Sequence, residues 1–165
     1  MKLLHVALFV AVLSLTPLRA AAQEGSVFGQ PGRWGLGLAA TDLVSGVTAK
    51  VYLTNRVSLQ GTVGFWYGYG PLAGLDVGVD ALYDMPRIWG NQVAALNWYL
   101  GGGGSFVFYG PGPQGGFQAI GGVDLQFRRV PIDLAVDLRP TFLFGEPPGF
   151  NFFFGAGIAV RYFFG

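Results

Sequence analysis

Cysteine is absent from these 165 residues, and histidine occurs once, as His5 near the start. The first absence excludes disulfides, thiol nucleophiles and thiolate metal ligands. The second leaves the rest of the chain without the usual zinc ligand or the base of a Ser-His-Asp or Cys-His arrangement. Charge is scarce as well: Asp, Glu, Lys and Arg make up only 12% of the residues, too few to hydrate the outside of a soluble barrel of this size. Beyond the first segment no run is long and apolar enough for the roughly 20-residue helix that crosses a bilayer, and the 28 glycines interrupt the remaining helical candidates. Even so, 52% of the chain is hydrophobic and its mean hydropathy is +0.45. Apolar surface on that scale, denied to helices, has to be sheltered by strands.

The first segment reads as an export signal. Lys2 precedes an apolar run from Leu3 to Leu15, and Ala20, Ala21 and Ala22 supply small residues before Gln23, so cleavage is expected after Ala22. The run is too short for a spanning anchor. Residues 1–22 are then a signal peptide and 23–165 one domain. Removing Lys2 and Arg19 from ten basic residues leaves eight against nine acidic ones, a near-neutral balance that implies no nucleic-acid partner.

What the remaining sequence does have is alternation. Eight segments carry it: Trp34–Ala40, Val47–Leu53, Val57–Tyr67, Leu75–Tyr83, Ala94–Phe108, Phe117–Phe127, Ile132–Leu143 and Phe150–Phe164. Most approach the roughly 9–11 residues of a tilted strand that spans a bilayer, the first two being shortest. Val57, Leu59, Val63 and Phe65 alternate with Ser58, Gln60, Thr62 and Gly64; Leu75, Val77 and Val79 alternate with Asp76, Gly78 and Asp80. Side chains two apart share one face of a strand, so these segments predict apolar residues outward and polar residues inward. One such segment means little, but six or more in one short chain form a strong pattern. The fold class expected is all-β: a closed, antiparallel, up-and-down transmembrane barrel of eight strands.

Connections are of two kinds. Asn55-Arg56 and Arg128–Pro131 are tight links, whereas Tyr67–Gly74, Tyr109–Gly116 and Gly145–Gly149 are rich in Gly and Pro and read as loops. With an even strand number the tight links and the Asp84–Val93 connection face the periplasm and the Gly/Pro loops face outside. Aromatics near strand ends, Trp34, Tyr67, Tyr83, Trp98, Tyr109, Tyr162 and Phe164, are expected to form interfacial girdles.

The closing run Gly157-Ile158-Ala159-Val160-Arg161-Tyr162-Phe163-Phe164, with the glycine-rich strands before it, resembles the small eight-stranded bacterial outer-membrane barrels of the OmpA-domain and OmpX type. It is nearest to their short uncharacterised members, over essentially the whole chain after the leader. The resemblance implies that Gly157, Val160, Tyr162 and Phe164 are read by the barrel assembly machinery, although Gly165 follows the terminal aromatic and the outer loops are short. It brings no catalytic residue, and the missing histidine separates the chain from barrel deacylases and acyltransferases of similar size.

Candidate chemistry is thin. Gly101–Gly104 lacks the following helix that a phosphate cradle needs, because Ser105-Phe106-Val107-Phe108 continues as strand. Asp76 and Asp80 lie four residues apart on one strand, roughly 13 Å at about 3.4 Å per residue, wider than the roughly 5–9.5 Å of glycosidase carboxyls. The charged residues instead predict a lumen network of Lys50, Asp76, Asp80, Asp124, Asp133, Asp137, Arg139 and Arg161. Extending the strands back from Arg128-Arg129 sets Asp124 opposite Asp133, and folding about Pro147-Pro148 sets Asp133 opposite Arg161. Two carboxylates would then share one guanidinium, as a confined interior requires.

The function expected is that of a non-catalytic integral outer-membrane barrel with an envelope-structural or surface-interaction role, monomeric, without cofactor or metal, and in contact with outer-membrane lipid. Two alternatives are a narrow pore and a secreted lipocalin-like barrel with a small apolar ligand, the latter suggested by Gly32-Arg33-Trp34.

Overall fold

The computed structural model describes residues 26–30, 32–41, 44–66, 74–109, 112–145 and 149–165. The expected signal peptide and the tips of the Gly/Pro loops lie outside the described residues. The described chain is a meander of β1 (Trp34–Thr41), β2 (Val44–Tyr52), β3 (Val57–Trp66), β4 (Gly74–Asp84), β5 (Trp89–Gly90), β6 (Ala94–Tyr109), β7 (Gly112–Phe127), β8 (Ile132–Gly145) and β9 (Gly149–Phe164). Each wall strand pairs antiparallel with its sequence neighbour, and β1 pairs with β9 to close the circle. The wall therefore has eight strands. β5 is a two-residue strand that takes over the edge of β6 where β4 ends: Asp84 faces Tyr99, and Trp89 and Gly90 then face Leu96 and Ala95. The observed fold is the closed up-and-down barrel expected from the alternation.

Facing follows the alternation too. In β4 the burial pattern switches at each residue, with Asp76, Asp80, Leu82 and Asp84 buried and Leu75, Val79 and Tyr83 outside. Outward positions of the other strands carry Leu38, Val63, Phe65, Phe106, Phe117, Val136, Ile158 and Val160, all exposed. At the end of the barrel where β1 begins and β9 ends, called the termini end below, Trp34 stacks on Phe164 at 4.4 Å between ring centroids and Tyr162 meets Phe164 edge-on at 4.9 Å. These rings, with exposed Tyr83, make one aromatic girdle. Tyr67 and the Tyr109 side chain lie outside the described residues.

Three expectations need correction. Gly112–Gly116 is strand, not loop: Pro113 pairs with Phe108 and Gln114 with Val107. On the other side β8 reaches only as far as Gly115, so Pro113 sits on a free edge where its missing N–H costs nothing. Asp84 ends β4 with its side chain buried and does not belong to the following connection. The β7–β8 register is two residues off the expected one, with Gln126 opposite Asp133 and Asp124 opposite Ala135. Pro131 cannot donate to the ladder, so the link takes up all of Arg128–Pro131 and is not a two-residue turn.

Residues 26–30 fold into the mouth of the barrel at the termini end. The Ser26 hydroxyl donates to Gln126 Oε1 at 2.9 Å and lies 2.9 Å from Tyr52 Oη. Val27 N–H donates to the same Gln126 oxygen at 2.7 Å, and Phe28 stacks on Phe163 with centroids 4.6 Å apart. Gly32 then turns the chain into β1 with φ of 84°, a conformation that glycine adopts without steric cost, while its N–H donates to Tyr52 O at 2.9 Å.

Candidate functional site: the barrel lumen

The interior is layered. Phe28, Tyr52 and Phe163, with Val27 against them, fill the termini end. Leu82, Tyr99, Ile120, Ala135 and Ala159 form a collar midway, and Trp66, Val107 and Leu143, with Val44 and Phe153, fill the loop end. Gly122 makes the collar possible, because a Cβ there would stand 2.8 Å from the Tyr99 ring. Between these apolar layers lie two polar chambers. Six of the nine acidic residues are buried in them, Asp76, Asp80, Asp84, Asp124, Asp133 and Asp137, against three cations, Lys50, Arg139 and Arg161.

The termini-end chamber is built by β2, β3, β4, β6, β7, β8 and β9. Arg161 reaches across to its ladder partner Asp133 in a fork, Nε to Oδ1 at 3.0 Å and Nη2 to Oδ2 at 3.0 Å, and its Nη1 donates to Gln60 Oε1. Such paired, planar bonding is the strongest arrangement open to guanidinium and carboxylate. Lys50 Nζ lies 3.8 Å from Asp84 and 3.9 Å from Asp124, over the rings of Tyr52 and Tyr99 at 4.9 and 5.4 Å. Gln126 Nε2 donates to Asp124 Oδ2 at 2.6 Å. Asp124 thus belongs with Lys50 and Gln126; the expected sharing of Arg161 with Asp133 does not occur. Lys50 Nζ, both oxygens of Asp84, both side-chain polar atoms of Asn97 and Ser58 Oγ make no direct hydrogen bond. Buried groups of this kind are satisfied by ordered water, and the 3.8 and 3.9 Å gaps around Lys50 suit bridging water better than direct bonding.

The loop-end chamber has one cation. Arg139 forks onto Asp137, Nε to Oδ1 at 2.6 Å and Nη2 to Oδ2 at 2.9 Å, and its Nη1 stands 3.6 Å from Asp80. Tyr99 Oη, at the collar, donates to Asp137 at 3.0 Å. Asp80 also accepts from Gln118 Nε2 at 2.7 Å, and Asp76 accepts from Ser105 Oγ at 2.6 Å. All eight residues of the expected network therefore face the lumen, but the structure divides them. Lys50, Asp124, Asp133 and Arg161 lie on one side of the collar and Asp76, Asp80, Asp137 and Arg139 on the other. Gln60, Gln126, Tyr52 and Tyr99 complete the bonding without having been placed in the network from the sequence; Asp84, which adds a third carboxylate beside Lys50, was signalled by the four-residue spacing Asp76, Asp80, Asp84.

Chemically the lumen offers charge pairing and hydration. Among the described residues no group of three His, Cys, Asp or Glu side chains is placed to hold a metal. No family model matches the chain, and no curated protein matches it. Among solved structures the N-terminal β-barrel domain of Pseudomonas aeruginosa OprF is similar, with a TM-score of 0.53 and 17% identity, covering 81% of this chain and 98% of that one. At that identity the likeness concerns the fold. In fold, then, the chain is a closed, eight-stranded antiparallel barrel similar to that domain.

Proposed function

We propose that the protein is an integral, non-catalytic outer-membrane barrel, exported by a signal peptide cleaved after Ala22, with an envelope-structural or surface-interaction role. It works as a monomer in contact with lipid, delivered by the barrel assembly machinery. The observation that carries this reading is the polarity of the wall: large apolar side chains such as Leu38, Phe65, Val79, Phe106 and Phe154 stand exposed outside while six aspartates are buried inside. Water outside would reverse that arrangement, whereas hydrocarbon demands it. The lipocalin-like alternative is disfavoured by the same surface and by the filled lumen, whose chamber cavity is about 40 Å³, far below the roughly 300–1,000 Å³ of small-molecule sites. The three apolar layers argue likewise against an open pore.

The test is fractionation of a Gram-negative host that expresses the full chain. The protein should pellet with the outer membrane and resist alkaline extraction. Val79→Arg, a charge placed on the lipid face at a cost of about 2–4 kcal/mol at the bilayer midplane, should abolish insertion. A wild-type protein found in the soluble periplasmic fraction would end this reading.

A further inference from the structure

Five arginines lie outside the lumen, Arg33, Arg56, Arg87, Arg128 and Arg129, and the fold gathers all of them at the termini end. Arg33 leads into β1, Arg56 sits in the link from β2 to β3, Arg87 in the connection from β4 to β6, and Arg128 and Arg129 in the link from β7 to β8. The entry into the wall and all three links at that rim thus carry at least one guanidinium. Between the strands at the other rim, residues 42–43, 67–73, 110–111 and 146–148 include no Lys or Arg but do include Asp42 and Glu146. Among the described residues every carboxylate side chain is buried in the lumen, so none of these stands on the termini-end rim to neutralise the arginines.

The wall holds this ring of charge at one level. Arg33 O accepts from Tyr52 N–H at 2.9 Å, Arg56 O accepts from Asp84 N–H at 2.7 Å, and Arg128 N–H donates to Val93 O at 2.9 Å. Arg33 precedes Trp34, and Arg56 precedes Val57, the ladder partner of Tyr83, so both stand one residue, roughly 3.4 Å, from the aromatic girdle. Arg56 Nη1 reaches back to Tyr83 Oη at 3.5 Å. Girdle rings sit at the level of lipid head groups, and an arginine one residue further out brings its guanidinium among the phosphates. Each of the three links also carries exposed apolar residues beside its arginines: Leu53 in the first, Ile88, Trp89 and Val93 in the second, and Val130 in the third. A rim facing only water gains nothing from these side chains, whereas a lipid interface takes both kinds, charge at the phosphates and apolar groups against the acyl chains.

We infer that the termini-end rim is a binding surface for anionic phospholipid head groups, its guanidinium groups taking lipid phosphates through their paired N–H donors while the apolar residues of the links rest against the upper acyl chains. The attraction is local to the rim: after Ala22 the chain has eight basic and nine acidic residues, a balance that draws no anion to the molecule as a whole. This role rests on the membrane-barrel reading and goes further in naming the lipid and the rim that holds it. Lipid A carries phosphates as well, but it lies in the outer leaflet, and a termini end that faces the periplasm meets phospholipid.

The experiment places the full barrel in phosphatidylcholine vesicles that carry a trace of spin-labelled phosphatidylglycerol or spin-labelled phosphatidylcholine, and the motionally restricted fraction of each label gives its association with the protein. Phosphatidylglycerol should be preferred about threefold or more at low salt, and added NaCl should shrink the preference. In Arg56→Gln/Arg87→Gln/Arg128→Gln/Arg129→Gln the preference should vanish. Should that variant not fold, Arg128→Gln/Arg129→Gln, whose two side chains are exposed, should lower the preference to about half. Equal association of the two lipids, or a preference unchanged in Arg128→Gln/Arg129→Gln, would overturn the surface. So would an Asn55→Cys protein that reacts with an impermeant thiol reagent on intact cells, because Asn55 adjoins Arg56 and the arginines would then face lipid A. A wild-type barrel that does not enter the vesicles would overturn the membrane reading, and the surface with it.

Discussion

The two chambers of the lumen solve the same problem in different ways. On the termini side, two cations face three carboxylates, the guanidinium of Arg161 is fully engaged, and residues 26–30 close the mouth over it. On the loop side one cation faces three carboxylates and a cavity remains. The first chamber is closed and one positive charge short of balance; the second is two short and keeps a cavity of about 40 Å³ that Arg139 also lines. The Tyr99 collar lies between the two.

The comparison is broken most severely at Arg161. Arg161→Met orphans Asp133 in a closed space and should cost about 3–5 kcal/mol, the range for stripping one partner from a buried pair. The barrel should then unfold in heated detergent well below the wild type. Asp133→Asn on that background should recover much of the loss, because the amide brings no orphaned charge. Asp124→Asn should recover little, since Asp124 answers to Lys50. Recovery by Asp124→Asn and none by Asp133→Asn would contradict the β8–β9 contact.

Arg139→Met tests the other side. Arg139 is 11% exposed and Asp137 keeps Tyr99 as a donor, so the loss should be smaller, about 1.5–3 kcal/mol, as for hydrogen bonds to charged groups. A drop as large as that of Arg161→Met, seen in parallel melts, would erase the distinction between the chambers. Phe28→Ala is milder still. It removes a buried ring from the docked segment and not from the wall, so amide exchange at Val27 should quicken at least fivefold, the stack alone being worth roughly 1 kcal/mol, while the barrel melt hardly moves. Unchanged exchange would mean that the stack does not hold the segment in the mouth.

Cysteine labelling is the gentlest probe, with no stability cost expected, and it sets which chamber faces the cell exterior. Pro113 is exposed at the loop end, and Asn55 is exposed in the link between β2 and β3. Pro113→Cys should react with an impermeant thiol reagent on intact cells and Asn55→Cys only after the outer membrane is opened. The reverse pattern would turn the barrel over.

Much of this was legible in the sequence because period-two alternation encodes facing directly, and a wall that separates two media cannot blur it. Strand limits from Val57 onward fall within a few residues of those expected wherever a tight link or an apolar run marks them. Legibility failed where backbone chemistry competes with composition. Gly112-Pro113-Gln114-Gly115-Gly116 has the make-up of a loop but is strand, since a proline on a free edge loses no bond. Pairing across β7 and β8 slipped by two residues at Pro131, which preserved facing but exchanged partners, and so Asp124 went to Lys50 and not to Arg161. The docking of Ser26–Gln30 left no periodic trace because five residues in a turn carry none, and contacts across the lumen, such as Gln60 with Arg161, depend on curvature that no local pattern records.

The seam between β1 and β9 joins the first described strand to the last, from Trp34 against Phe164 to Thr41 against Gly157. Its pairing cannot begin until β9 has been made, and closing so long a loop carries the largest entropic penalty among the strand pairs. Every other pair in the wall links sequence neighbours. Folding therefore has a natural order, in which hairpins zip early and an open, curled sheet waits with two bare edges for the final step. Those edges are templates for pairing with another chain, so a truncated product lacking β9 is arrested in the state most prone to aggregate.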